Sequence, residues 1–332
     1  MATIYEVSKL AGVSLATVSR VMNNNARVSD KTRKKVKEAM EQLGYRPNSI
    51  AQSLASNRSN SVGILVSELH GSFYGQMMSG IESELRAAGK HVIITTGYSE
   101  QEKEIDGIEF LLSRNCDAII LHVEAVSDEY LIELSKKSTP IFIMSRYVDS
   151  LKDRCISLNN EMGGYLATKT LIDKGHSIIG FIGGPEFKAD SRSRLQGHKR
   201  ALKEYNINFD EKLYFEGDFK ETGGISGLRA LLKKNKNLTA IACANDEMAS
   251  GAMKYAREHG FNLPEGLSII GFDNIIFANY LYPTLTTINN PVYEMGHMAA
   301  KLVLKTVYNV KNLNVQHVFD PTVIERNSVS KR

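Results

Sequence analysis

From Ser61 onward the sequence alternates short, wholly apolar runs with longer amphipathic segments, and that alternation constrains the fold more than any other feature. The runs SVGILVSEL, HVIITTG, DAIILHV, PIFIMSR, SIIGFIGG, KLYFEGD, TAIACAND and LSIIGFD read as strands. Between them, segments such as QMMSGIESELRAAG, GYLATKTLIDKG, SRLQGHKRALKEY, GLRALLKKN and MASGAMKYAREHG read as helices with one apolar face. A strand that is apolar on both faces needs cover on both, which parallel sheets obtain from crossover helices. The expectation is an α/β body. Sheets of this kind bind ligands beyond the carboxyl ends of their strands. Those ends carry Ser67 and Glu68, Arg146, Asn245 and Asp246, and Asp273 and Asn274, so polar chemistry recurs at one edge.

The first 60 residues read as helices only. They hold ten Lys and Arg against four Asp and Glu, whereas the remaining 272 residues hold 31 against 33. All of the basic excess therefore sits in the first fifth of the chain, as in a nucleic-acid-binding module joined to a neutral body. Thr3 and Glu6 fit a capping box ahead of Val7, Leu10 and Ala11, and Gly12 ends that helix. Ser14 caps a second helix. Ser29 caps a third, DKTRKKVKEAMEQLG, with Val36, Met40 and Leu43 on one face, and Gly44 closes it. Pro47 breaks the chain, NSIAQSLAS follows as a short helix, and NRSNS reads as a linker. Helix, glycine turn and second helix make a helix-turn-helix, whose second helix enters the DNA major groove. In it, Val18, Val21 and Met22 face the neighbouring helices. Leu15, Ala16, Thr17, Ser19 and Arg20 are left free for phosphates and base edges. A three-helix protein-interaction module has the same pattern, but the local positive charge argues against it.

Other classes fall away quickly. Cys116, Cys155 and Cys243 are far apart, with no Cys-x-x-Cys or His-x3-His spacing, so they read as buried thiols in a reducing cytoplasm, with no metal and no cofactor. The start MATIYEVSKLAG lacks the apolar stretch of a signal peptide, and no run approaches a membrane span. The expected location is cytoplasmic. No Gly-x-Ser-x-Gly, His-Glu-x-x-His or Gly-x4-Gly-Lys-Ser/Thr motif is present, so the chain is not expected to be an enzyme.

TIYEVSKLAGVSLATVSRVMNN, continued by VSDKTRKKVKEAMEQLGYRPN, resembles the headpiece of the lactose/galactose-repressor (LacI/GalR) family. GHSIIGFIGG, RLQG, AIACANDEMASGAM, LSIIGFDN and YPTLTTINNP resemble that family's body, which has two Rossmann-like lobes and the fold of periplasmic sugar-binding proteins. LAGVSLATVSRVMNN, DRCISL, RLQG, LSIIGFD and RNSVS are similar to its galactose-repressor group. The organisation implied is a helix-turn-helix headpiece (1–46), a hinge helix and linker (47–60) and an effector-binding and dimerisation domain (61–332). Lobe 1 is expected over about 61–161 plus 288–332, and lobe 2 over about 162–287, with three crossings between them.

The resemblance also implies roles. Thr3, Tyr5, Ser14, Leu15, Ala16, Thr17 and Ser19 are DNA-contact positions, with Arg20, Asn23, Arg27, Ser29 and Thr32. Leu54 is the wedge that a paired hinge helix pushes into the minor groove, with Ala51 and Ala55 small enough for the partner helix to approach. The family's sugar pocket falls on Phe73, Arg194, Phe219, Asn245 and Asp273, with Glu68, Tyr74 and Arg146 in second rank. Asp246 is expected to cap the helix at Met248. ELHGSFYG stands where the galactose repressors carry an Asp-Pro pair ahead of two Phe residues, which leaves the sugar open: galactose, a β-glucoside or another. The implied function is a homodimeric repressor of carbohydrate-utilisation genes on a palindromic operator, released by a small sugar. The alternative is a corepressor-dependent regulator. No heptads follow RNSVSKR, which argues against a coiled-coil tetramer.

Overall fold

The computed structural model describes residues 2–22, 28–46 and 58–332. The hinge segment 47–57 with Leu54, and the DNA-contact candidates Asn23 and Arg27, lie outside the described residues. The chain falls into two compact units, residues 1–59 and 60–332.

In the first unit the helices are α1 (Ile4–Ala11), α2 (Leu15–Met22) and α3 (Asp30–Gln42). The capping box is formed: the Glu6 N–H donates to Thr3 Oγ1 at 3.4 Å, and the Thr3 N–H donates to Glu6 Oε2 at 2.7 Å. Gly12 ends α1 with φ +63°, a left-handed conformation that a side chain would strain. Ser14 and Ser29 accept from the N–H groups of Thr17 and Thr32 as caps of α2 and α3. The core is small. Val7 and Ala11, Val18 and Val21, and Val36 and Ala39 bring two buried residues from each helix, with Met22, Met40 and Leu43 packed around them.

The second unit continues through β1 (Ser61–Val66), α4 (Ser72–Ala87), β2 (His91–Thr96), α5 (Gln101–Ser113), β3 (Ala118–Leu121), α6 (Asp128–Leu134), β4 (Ile141–Met144) and β5 (Cys155–Leu158). Then come α7 (Asn160–Asp173), β6 (Ile179–Gly183), α8 (Ala189–Glu204), β7 (Tyr214–Glu216), α9 (Glu221–Lys234), β8 (Ala240–Cys243) and α10 (Asp246–Glu258). The last elements are β9 (Ser268–Asp273), β10 (Thr286–Asn289), α11 (Val292–Val307), β11 (Val318–Phe319) and β12 (Thr322–Ile324). One sheet has the order β11-β5-β4-β3-β1-β2 and the other β12-β10-β9-β8-β6-β7. The pairing is parallel throughout except between β10 and β12. Strands β3, β4 and β8 are buried at every residue, as their unbroken apolar sequence requires.

The chain crosses between sheets after Leu158, after Asn289 and after Phe319. The expectation that residues 288–332 belong wholly to the first lobe is therefore corrected at the C-terminal end. Helix α11 and β11 lie with the first sheet, but β12 pairs antiparallel with β10 at the edge of the second. The tail stays there: the Ile269 N–H donates to the Ser328 carbonyl, and the Arg332 N–H to the Lys174 carbonyl. An open sheet edge supplied the hydrogen bonds that fix this last segment.

Helices α7 and α8 approach closely because glycines face backbone across the contact. A Cβ on Gly164 would lie 2.0 Å from the Arg194 carbonyl oxygen, and one on Gly197 would lie 1.9 Å from that of Glu161. This contact sets the height of Arg194 in the second lobe. Gly164→Ala is expected to destabilise the body by about 1–3 kcal/mol through overpacking against rigid backbone. Chemical denaturation reads this directly, and an unchanged midpoint would show that the helices part without cost.

Candidate functional site

A cavity of about 270 Å³ opens between the carboxyl ends of the two sheets. Its lining follows β1, β3 and β4 of the first lobe and β6, β7, β8 and β9 of the second, the edge that polar strand ends marked in the sequence. All eight pocket candidates, Glu68, Phe73, Tyr74, Arg146, Arg194, Phe219, Asn245 and Asp273, line it.

Arg194 is the best-anchored of them. Only 4% exposed, it donates from Nε to Asn160 Oδ1 at 2.9 Å and from Nη1 to the Ala244 carbonyl at 2.6 Å. Its guanidinium lies 3.8 Å from the centre of the Phe272 ring, with Asp190 at 3.6 Å and Asp273 at 3.8 Å. Asp273 accepts from Asn290 Nδ2 at 3.1 Å and holds a backbone φ of +101°. Phe219 also has a left-handed backbone, φ +63°, and presents its ring 5.8 Å from Arg194. Phe73, Tyr74 and His122 meet edge to face, with ring centres 5.3–6.1 Å apart, as an aromatic wall of the first lobe. Burial pushes the Tyr74 hydroxyl well above its ordinary value, so it stays a proton donor.

Three candidates are engaged with other groups of the protein. Asn245 caps α10 by accepting from the Met248 N–H at 2.9 Å, and its Nδ2 donates to the Phe219 carbonyl at 2.8 Å. The cap expected of Asp246 thus belongs to Asn245. Asp246 is fully buried instead, accepting from Thr287 Oγ1 at 2.6 Å and the Ile275 N–H at 2.9 Å. Arg146 is bound to the Val126 carbonyl at 2.8 Å and Asp128 at 2.5 Å. Glu68 pairs with His70 at 2.9 Å and Lys220 at 3.6 Å.

On the headpiece, Ala16 and Arg20 are exposed along α2, and Leu15, Thr17 and Ser19 are half-buried. Tyr5 is 69% exposed on α1. Thr3, Ser14, Ser29 and Thr32 serve as caps or cap partners, which places them at the helix N-termini, where backbone N–H groups suit phosphate oxygens. Among the described residues no acidic, His or Cys cluster is arranged for a metal, and no helix is long and apolar enough to cross a membrane. Cys116, Cys155 and Cys243 are buried and unpaired with one another.

Comparison with known proteins decides the family. Residues 3–48 match the model of bacterial regulatory proteins of the lacI family, and residues 168–329 match a periplasmic binding protein-like domain. The HTH-type transcriptional regulator GalR of Escherichia coli (strain K12) is 38% identical over 330 residues, covering 99% of this chain and 96% of that one. The chain belongs to the LacI family. Like its relatives it is a transcriptional regulator and not an enzyme. Two solved structures extend the match. A lac repressor dimer bound to operator and the anti-inducer ONPF aligns with TM-score 0.88 and 27% identity, covering 99% of each chain. A CelR–cellobiose complex aligns at 0.73 and 28%, covering 99% of this chain and all of that one.

Within this LacI-family cleft the sequence reading missed Asn160, Asp190, Asn290, His122, Glu124 and Lys188. The strand-end rule reaches His122, near the end of DAIILHV, Glu124, just past it, and Lys188 and Asp190, past SIIGFIGG. Asn160 and Asn290 sit where the chain crosses between lobes, which no local pattern marks.

Burial raises the Asp273 carboxyl above its ordinary value, although Arg194 opposes the shift. Its contribution to stability is therefore fully present below the unfolded value near about 4 and is lost as pH rises through the higher folded one. Asp273→Asn removes that titration. The variant's unfolding midpoint is expected to gain on the parent's as pH rises from about 4 to about 7. Parallel midpoints over that range would show that Asp273 titrates alike in both states.

Proposed function

We propose that the protein is a cytoplasmic, homodimeric repressor of carbohydrate-utilisation genes that binds a palindromic operator and is released by a small neutral sugar held between the lobes. The observation that carries this reading is the cleft itself. A buried Arg fork, a carboxylate and carboxamides, chiefly of the second lobe, converge on a space walled by Phe73 of the first lobe and Phe219 of the second. Planar polar groups pair with sugar hydroxyls, and aromatic faces cover the C–H face of the ring. The lac repressor and CelR structures, with operator and cellobiose in their respective complexes, support the same division of labour.

Each headpiece would read one half-site, so the two-fold axis of the dimer is matched by the palindrome. Arg20 and the hydroxyls at the N-terminus of α2 contact phosphates and base edges, while Leu15 and Ala16 contact thymine methyls. Leu54 wedges the minor groove. Sugar in the cleft changes the angle between lobes and weakens operator binding, and operator weakens sugar binding by the same factor.

Leu54→Ala is expected to weaken specific operator binding about tenfold or more, because the kink it supports brings further contacts. Sugar affinity should not move. Equal operator affinity in a gel-shift titration would remove the wedge. Asp273→Ala is expected to bind operator normally and to resist release by sugar, and normal release would take Asp273 out of the pocket.

The reading as a whole is tested by thermal unfolding with and without millimolar D-galactose. A bound sugar at a hundredfold excess over its dissociation constant stabilises by about 2.7 kcal/mol, enough to raise the midpoint visibly. If galactose does nothing, β-glucosides and other hexoses follow. A sugar that tightens operator binding would reassign the protein to corepressor control.

A further inference from the structure

We infer that Lys188 and Glu124 form a latch between the two lobes that holds the cleft at its binding angle before any effector arrives. The inference rests on the cleft being the effector site but not on which sugar fills it.

Lys188 is the residue ahead of α8 in the second lobe, and Glu124 follows β3 in the first. Their side chains meet at 2.5 Å, Lys188 Nζ to Glu124 Oε2, and are only 12% and 14% exposed. Both ends are built rather than incidental. The Glu124 carboxylate also accepts from Ser99 Oγ at 2.5 Å and Ser67 Oγ at 3.4 Å, both in the first lobe. Its backbone is fixed as well. The buried Glu104 carboxylate takes the N–H groups of Glu124, Ala125 and Val126 at 2.8–3.2 Å, which clamps the loop that carries Glu124. On the other side, the Lys188 ammonium passes 5.5 Å from the Phe219 ring centre and 5.9 Å from that of Phe187. Its path across the cleft is thus walled by the second lobe's own aromatics.

A contact between two groups each fixed to its own lobe exists only over a narrow range of lobe angles. Lys220 to Glu68 also bridges the lobes, at 3.6 Å, but Lys220 is 58% exposed and such a pair contributes little. Lys188–Glu124 is largely shielded from water and salt, and removing either partner leaves the other charge buried without its ion-pair partner. Both residues line the cavity, and as a pair they position Arg194 and Asp273 against the first lobe's Phe73 and Tyr74. If the binding-competent angle becomes the minority state, apparent affinity falls by the fraction lost.

The test reads the angle with no ligand present. Spin labels are placed on cysteines introduced at exposed Glu102 in the first lobe and exposed Lys212 in the second, the three native cysteines being buried. Labelled chain is mixed with a large excess of unlabelled chain, so that each measured pair lies within one protomer. The parent is expected to give one narrow distance distribution. Lys188→Met and Glu124→Gln should each broaden it or move it, the double variant should match the singles, and Lys188→Arg should restore the narrow distribution. An unchanged distribution in both single variants would overturn the latch, whatever the sugar proves to be. So would a double variant whose change is the sum of two independent ones. Should Glu124→Gln fail to fold, the Lys188→Met and Lys188→Arg pair decides the question alone. For any sugar shown to bind, the same single variants should lower affinity about tenfold if the closed state falls to about a tenth of molecules. A change in sugar affinity with an unchanged distance distribution would instead make Lys188 a direct ligand contact and end the latch.

Discussion

One buried guanidinium holds the second lobe's half of the cleft together. Arg194 bonds the end of β8 through the Ala244 carbonyl and the start of α7 through Asn160, and it stacks on Phe272 of β9. A cation at this depth is tolerated because its donors are matched and two carboxylates, Asp190 and Asp273, stand within 4 Å. The approach of α7 and α8 at Gly164 and Gly197 exists to bring it there, since any Cβ at either position would force the helices apart. Once Arg194 is placed, the pocket carboxylates have their charge partner, and the cleft has a polar floor that needs no ligand to be stable. Whatever occupies the cavity then adds hydrogen bonds to a site already organised, which is how a small ligand avoids the ordering cost of building its own site.

The backbone carries the same message. Ser145, Phe219, Asp273 and Asn274 have positive φ; Ser145, Asp273 and Asn274 end or directly follow a strand, and Phe219 lies three residues past β7 on the cavity wall. Among the other described non-glycine residues with positive φ, Asn60, Asn115, Asn206, Asn309 and Asn312 are the majority, and asparagine tolerates that conformation better than most side chains. A phenylalanine and an aspartate held there cost about 1–3 kcal/mol each. Strain of that size, concentrated where side chains must turn into the cleft, marks positions selected for where they point and not for how easily they fold.

Much of this was legible in the sequence, for reasons that differ by element. The eight apolar runs became β1, β2, β3, β4, β6, β7, β8 and β9: the inner strands because cover on both faces writes burial into nearly every residue, the edge strands β2 and β7 although they are only half-buried. The caps at Thr3, Ser14 and Ser29 were equally plain, since a hydroxyl at a helix start has one obvious use. Strands β5, β10, β11 and β12 were not read. They are two to four residues long, and they exist because a neighbouring strand offers free backbone groups. Asn245 took the cap expected of Asp246 for a related reason. Both are good capping residues in adjacent positions, and only the burial of Asp246 against Thr287 and Ile275 decides between them. The Glu124–Lys188 pair spans sixty-odd positions of sequence and two lobes, so no local pattern could announce it.

Apolar and polar contacts divide the control of the lobe angle between them. A single continuous apolar cluster runs from Val62, Ile64 and Met77 through Ile156 and Met295 to Phe272, Ile270 and Ile182. It therefore passes through the side of the body where the chain crosses between lobes. Apolar burial is non-directional, so a few degrees of rotation about that side exchange one van der Waals contact for another at little cost. Hydrogen bonds and ion pairs weaken steeply when their geometry changes. The directional contacts, Lys188–Glu124 above all, lie on the open side with the pocket. The apolar side thus keeps the lobes together without fixing their angle, and the polar side fixes the angle without being needed to keep them together. A ligand worth only a few hydrogen bonds can bias such an angle, because it adds to the few directional bonds at the cleft and leaves the large apolar core untouched.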